Sequence, residues 1–239
     1  IILVNDGTTD KKTLEIIDSY KNISHLRIID QYNSGLPSAR NKGGWNAKGN
    51  YLFFLDSDDW IEPDTLEAMF FYIKKHKKVS FIFSDIVLEG EVNNIIKKEY
   101  NFFEQLFLNQ IPYSIFISKK IWTKYGGYSE DMKSGYEDWE FNIRLGSQRQ
   151  FGKRFAKPLF HYNVSKDGML LSHTSKKHGK LWQDIVSKNQ KLYRLKNLLL
   201  IWREWRVRPS NYPLLILFLW YLVIRNVPTY WSTKIFILL

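Results

Sequence analysis

The chain has 239 residues, of which 44% are hydrophobic, 16% aromatic and 25% charged, with no cysteine. That length is enough to bury a core, the aromatic content argues against intrinsic disorder, and the missing cysteines exclude disulfide scaffolds, thiolate metal sites and cysteine nucleophiles. A net charge of +11 is distributed unevenly: residues 1–150 carry 19 Lys and Arg against 21 Asp and Glu, and residues 151–239 carry 16 against 3. The front therefore reads as an ordinary domain, and the back as a basic segment that needs a partner or a surface. Absence of cysteine fits a reducing compartment. No basic-then-apolar leader is present, and apolar runs open and close the chain (Ile1-Ile2-Leu3-Val4 and Ile235-Phe236-Ile237-Leu238-Leu239), so both ends read as cut.

In chain order, strand and helix signals alternate through the front. Residues 1–5 form a short apolar run, and 10–21 place Leu14, Ile17 and Tyr20 at helical spacing. Residues 26–29 read as a second strand and 37–48 as a helix opening on Pro37, a residue favoured in a first turn. Strand 51–55, amphipathic helix 64–76 and strand 79–88 follow. This alternation predicts a mostly parallel sheet flanked by helices, whose ligands sit beyond the carboxyl ends of the strands. Asn5-Asp6 and Asp56-Ser57-Asp58-Asp59 fall at such ends. Residues 102–160 lose the rhythm: helix 102–108, strand 113–118, helix 119–125, a glycine-rich loop 126–135, helix 137–145 and strand 154–162. A polar stretch, 165–180, marks the boundary to a helical extension, giving domains 1–165 and 166–239.

Three carboxylates within four residues, Asp56, Asp58 and Asp59, repel one another unless they are solvated, bonded to backbone amides or holding a cation. Such an oxygen-only set suits Mg²⁺ or Mn²⁺; the alternative is a solvated turn that caps the next helix. Asp6 stands in a strand-turn-helix segment, where it either completes the turn or accepts a hydrogen bond from a nucleobase. Arg40 lies in the first turn of its helix, against the helix dipole, which calls for an anionic partner: a phosphate or a nearby aspartate. In Gly135-Tyr136-Glu137-Asp138-Trp139, acids open a helix, where the dipole favours them. The sharper reading makes Asp138 a general base at the mouth of a cleft and Trp139 an apolar platform for a sugar ring.

Taken together, in this order and at these intervals, the motifs of residues 1–165 resemble the family 2 glycosyltransferases. The resemblance implies a GT-A fold and an inverting enzyme that uses nucleotide-diphosphate sugars, of hexosyl- or N-acetylhexosaminyltransferase type. It implies that Asp6 reads the nucleobase, usually uracil, that Arg40 lies near base and phosphates, and that Asp56 lies near the ribose. Asp58 becomes the metal ligand with Asp59 as helper, the metal being Mn²⁺ or Mg²⁺. Asp138 becomes the catalytic base, with Glu137 helping to hold the acceptor. His161 becomes a candidate near the diphosphate and metal, and His173 a more distant one. Members of the family begin with a further strand upstream, so the resemblance reads this chain as a fragment. The acceptor it implies is a glycan or lipid-linked saccharide in cell-surface polysaccharide synthesis. Two alternatives are a transferase to polyprenyl phosphate, and an inactive fragment that only binds sugar nucleotide. Donor and acceptor pockets depend on loops 88–113 and 126–136.

In the tail, Leu181, Ile185, Leu192, Leu195, Leu199 and Trp202 recur at helical spacing across 181–206, beside numerous Lys and Arg. Residues 209–224 then run 16 positions without charge, short of the roughly 20 needed to cross a bilayer. This reads as an interfacial anchor on an anionic membrane, at the cytoplasmic face. The alternatives are a spanning helix through Arg225, or a helical cap packed on the enzyme domain or on a second subunit of a homo-oligomer. No nucleic-acid-binding motif accompanies the basic residues.

Overall fold

The structure, a computed structural model, describes residues 1–165 and 175–224. In order, the elements are β1 (Ile2–Asn5), α1 (Lys11–Ser19), β2 (Arg27–Asp30), α2 (Leu36–Asn46), β3 (Tyr51–Phe53), β4 (Trp60–Ile61), α3 (Thr65–Lys75), β5 (Phe81–Gly90) and β6 (Asn94–Ile96). They continue with α4 (Phe102–Gln105), β7 (Phe116–Ser118), α5 (Lys119–Lys124), α6 (Glu137–Ser147), β8 (Gly152–Val164), α7 (Ser175–Lys188), α8 (Leu195–Trp205) and α9 (Leu214–Ile224).

The expected α/β alternation is present, and both acidic runs follow the carboxyl ends of their strands, Asp6 after β1 and Asp56 after β3. The expectation of a mostly parallel sheet needs correction. β1 and β2 form a parallel pair of their own, while β3-β7-β5-β8-β4 run side by side, with β6 beside β5. Only β5 and β8 are parallel in that second sheet. The reason is β7, which enters antiparallel between β3 and β5 and separates strands that a simple β-α-β reading would have paired. Other differences are local. β4 and β6 were not expected, and α4 is one short turn. Helix 181–206 is two helices, broken where the Asn197 amide donates to the Lys191 carbonyl at 2.6 Å.

The core is aromatic: Phe81, Phe83, Phe103, Phe107, Trp122, Trp139, Phe141 and Phe160 are all fully buried. The C-terminal helices pack into this same core through Ile185, Tyr193, Leu198, Trp205, Leu214 and Leu217. Each such side chain contributes roughly 1.5–3 kcal/mol by leaving water. Polar contacts fix the register of that packing. The Tyr193 hydroxyl donates to the Leu106 carbonyl at 2.8 Å, and the buried Glu104 carboxylate accepts from the Asn211 amide at 2.7 Å. Among the described residues no helix is long and apolar enough to cross a membrane.

Candidate active site

The loop that follows β3 sorts its three aspartates into different roles. Asp59 is buried: its Oδ2 accepts from the Tyr113 hydroxyl at 2.5 Å and its Oδ1 from the Asn163 backbone N–H at 2.8 Å. Burial pushes its pKa up to about 6 against the pull of those two bonds, with Asp58 and Asp56 adding repulsion. The Tyr113 oxygen in turn accepts from the Asp56 backbone N–H at 2.9 Å, so one hydroxyl ties both ends of the turn. Asp56 grips Arg40, and Asp58 is exposed, with neither a hydrogen bond nor an ion pair among the described residues.

Arg40 joins this loop to the second acidic motif. Its Nη2 donates to both Asp56 oxygens at 2.8 and 2.7 Å, and its Nη1 donates to Glu137 Oε1 at 2.5 Å. The Tyr113 ring lies beneath the guanidinium at 4.3 Å. Burial disfavours the charge, but Asp56 and Glu137 outweigh it and hold the guanidinium pKa above its ordinary value. The anionic partner expected for this residue is therefore supplied by the protein itself. The next residue, Asn41, anchors the glycine-rich loop: its side chain donates to the Tyr128 carbonyl at 2.9 Å and accepts from the Tyr128 N–H at 2.8 Å.

That loop delivers α6. Its first residues, Glu137 and Asp138, sit where the helix dipole favours carboxylates. Burial raises both pKa values; Asp138 raises that of Glu137 further, and Arg40 opposes both shifts. Asp138 Oδ2 also accepts from the Asn109 amide at 3.2 Å. Arg40, Asp56, Asp58, Tyr113, Glu137 and Asp138 line one cleft of about 280 Å³. Tyr136, Tyr162 and Asn163 also line it.

Two predicted site residues lie elsewhere. Asp6 buttresses the start of α2: Oδ1 accepts from the Gln31 amide and the Ser34 N–H, both at 2.8 Å, and Oδ2 accepts from the Gly35 N–H at 2.9 Å. Burial works against its charge, but these bonds and Lys133 keep its pKa below the usual value. Gly35 has φ +93°, a left-handed conformation suited to glycine, which lets its N–H turn back onto Asp6. His161 does not reach the cleft. Its Nδ1 meets Glu89 and its Nε2 Glu62, each at 2.9 Å, with Trp60 stacked on the ring. His173 lies outside the described residues.

The set Asp58, Asp59 and His161 is thus not assembled as a metal centre, since Asp59 and His161 are committed to other partners. Among the described residues no group of three or more His, Asp or Glu side chains converges to hold a metal ion. Of that set of three, Asp58 is the one whose carboxylate has no partner among the described residues, as a hard cation needs. Trp139 also differs from expectation. It is 1% exposed and donates Nε1–H to the Gln105 carbonyl at 2.6 Å, so it is a core residue and offers no sugar platform. Sequence reasoning missed Tyr113, Asn109, Tyr136 and His178; the last accepts or donates a hydrogen bond with the Tyr136 hydroxyl at 2.7 Å.

Comparison with known proteins gives a consistent picture. GlyA, a glycosyltransferase of Streptococcus pneumoniae serotype 4, is 46% identical over 71 residues, 29% of this chain and 10% of that protein. Chondroitin synthase of Pasteurella multocida is 29% identical over 157 residues, 63% of this chain and 16% of that one. The crystal structure of S. aureus TarS 1-349 in complex with UDP-GlcNAc superposes with a TM-score of 0.61 at 17% identity, covering 78% of this chain and 56% of that chain. The chain thus spans only part of the relatives it matches, and it shares the GT-A fold with TarS. The family model for glycosyl transferase family 2 matches residues 1–134, more than half of the molecule, and the chain belongs to that family.

Proposed function

We propose that the chain is an inverting transferase that moves a hexose or N-acetylhexosamine from a UDP-sugar to a hydroxyl of a glycan or lipid-linked saccharide, in cell-surface polysaccharide synthesis. One observation carries the reading: one cleft holds a free carboxylate, Asp58, and a carboxylate of raised pKa, Asp138, while Arg40 ties together their neighbours Asp56 and Glu137. The family membership and the TarS complex with UDP-GlcNAc support the choice of donor.

The chemistry follows from the charges. Asp138 accepts the proton of the acceptor hydroxyl while that oxygen attacks the anomeric carbon from the face opposite the nucleotide. The bond from that carbon to the diphosphate oxygen breaks, its electron pair leaves with the diphosphate, and the centre inverts. Four carboxylates and one guanidinium line the cleft, so a diphosphate meets an excess of negative charge there. Asp58 would hold a divalent cation, Mg²⁺ or Mn²⁺, which would supply the missing positive charge. Arg40, committed to Asp56 and Glu137, orients those two groups. A phosphate acceptor is already ionised and needs no base, so the dependence of turnover on Asp138 discriminates a hydroxyl acceptor from polyprenyl phosphate.

The same reading places the enzyme at the cytoplasmic face of the membrane, docked through the basic C-terminal helices. Asp138→Asn tests the catalytic assignment. Sugar transfer is expected to fall by roughly 10²–10⁴, the usual contribution of a general base, with UDP binding unchanged. Undiminished turnover would remove Asp138 from its role.

A further inference from the structure

Tyr136 is the residue that turns the glycine-rich loop into α6, and it does so at φ +66°, in the left-handed region. A bulky residue held there costs on the order of 1–3 kcal/mol and persists only where its surroundings fix it. Its carbonyl accepts the first intrahelical bond, from the Glu140 N–H at 2.9 Å. The direction of α6, and of Asp138 in its first turn, therefore depends on how Tyr136 is held.

What holds it comes from α7. His178 is buried, and its Nδ1 lies 2.7 Å from the Tyr136 hydroxyl. Burial pulls the His178 pKa down to about 4, so the ring is neutral at pH 7, and burial pushes the Tyr136 pKa up to about 12. The pair is a neutral hydrogen bond, in which the imidazole tautomer decides whether the phenol or Nδ1 donates. The imidazole stacks on Trp139 at 6.2 Å, with 23° between the planes, and Tyr136 meets Trp139 edge-on at 5.1 Å. At its other end α7 grips the same loop, with Lys188 Nζ 2.5 Å from Asp131. α7 lies beyond the residues that the family model matches.

We propose that His178 is a positioning residue: through the Tyr136 hydroxyl it fixes the left-handed turn that aims Asp138 into the cleft. This rests on the transferase reading above. Misplacement of a catalytic group by about 1 Å costs on the order of 10²-fold in rate, so the effect belongs in kcat rather than in donor affinity.

The test is a double-mutant cycle with UDP-sugar as donor. H178A and Y136F are each expected to lower kcat by about 10- to 100-fold, with the donor KM within about twofold of wild type, and the double variant is expected to lose no more than either single one. H178N places an amide, able to donate or to accept, where Nδ1 stood and should restore most of the rate. Should H178A fail to fold, Y136F deletes only the hydroxyl and carries the same test. Wild-type turnover in Y136F, additive losses, or no rescue by H178N would each overturn the inference while leaving the transferase reading intact. A wild-type chain that transfers no sugar would overturn the reading on which it rests.

Discussion

A guanidinium in the first turn of α2 opposes the helix dipole, and Arg40 is stable there because Asp56 and Glu137 face it from two other segments. Its pairing with Glu137 is buried on both sides, with side chains 7% and 5% exposed. Removing one partner of such a pair strands the other, so Arg40→Leu is expected to lower the unfolding free energy by roughly 3–5 kcal/mol. Urea denaturation would measure it, and a change within experimental error would show that Glu137 and Asp138 need no compensation. Asp56, Asp58, Arg40, Glu137 and Asp138 were legible in the sequence because each sits in a local motif at a strand end or helix start. Tyr113 was not: its bonds reach Asp56 and Asp59 across 57 and 54 positions, which leave no local pattern. Trp139 misled for the opposite reason. Sequence adjacency put it beside the acids, but one helical step of about 100° turns it from the cleft into the core.

At the scale of elements, hydrophobic periodicity located most helices and strands, since burial imposes that periodicity directly. Pairing partners stayed hidden, because β7 reaches β3 and β5 through a region whose residues carry no β-α-β signature. The tail helices were legible as helices, while their seat on α4 depends on Glu104, Asn211 and Tyr193, which no periodicity marks. α7 carries its own pH dependence. The His178 pKa is lowered from 6.5 to about 4 by burial, so the unfolded chain binds a proton that the folded chain refuses. Stability from this group is complete above pH 6.5 and is lost as pH falls towards 4, by at most about 3 kcal/mol. The raised carboxylates Glu137 and Asp138 act with opposite sign, so the comparison must be between variants. H178N, which does not titrate, is expected to lose less stability than wild type between pH 6.5 and 4 in urea midpoints. Parallel pH profiles would contradict the burial of a neutral imidazole.

Across the whole molecule, residues 1–150 are near neutral in charge and the C-terminal part is strongly basic. The Tyr221 hydroxyl of α9 donates to the carbonyl of Tyr193, just before α8, at 2.9 Å, and both helices pack on the core. Outward they present Leu199, Leu200, Leu215, Ile216 and Leu219 beside Lys196 and Arg203. An anionic bilayer surface complements that combination. The chain is expected to sediment with vesicles containing phosphatidylglycerol and to be only partly released in about 1 M salt, where the Debye length falls to ~3 Å. Equal binding to neutral vesicles, or none, would contradict membrane docking. The central claim, a nucleotide-sugar donor held in the cleft through Asp58 and a divalent cation, is tested most directly by calorimetric titration of UDP with and without Mn²⁺, for wild type and Asp58→Ala. The account predicts metal-dependent binding that the substitution abolishes. Absence of binding by UDP, GDP and TDP alike, or binding indifferent to both metal and Asp58, would contradict it.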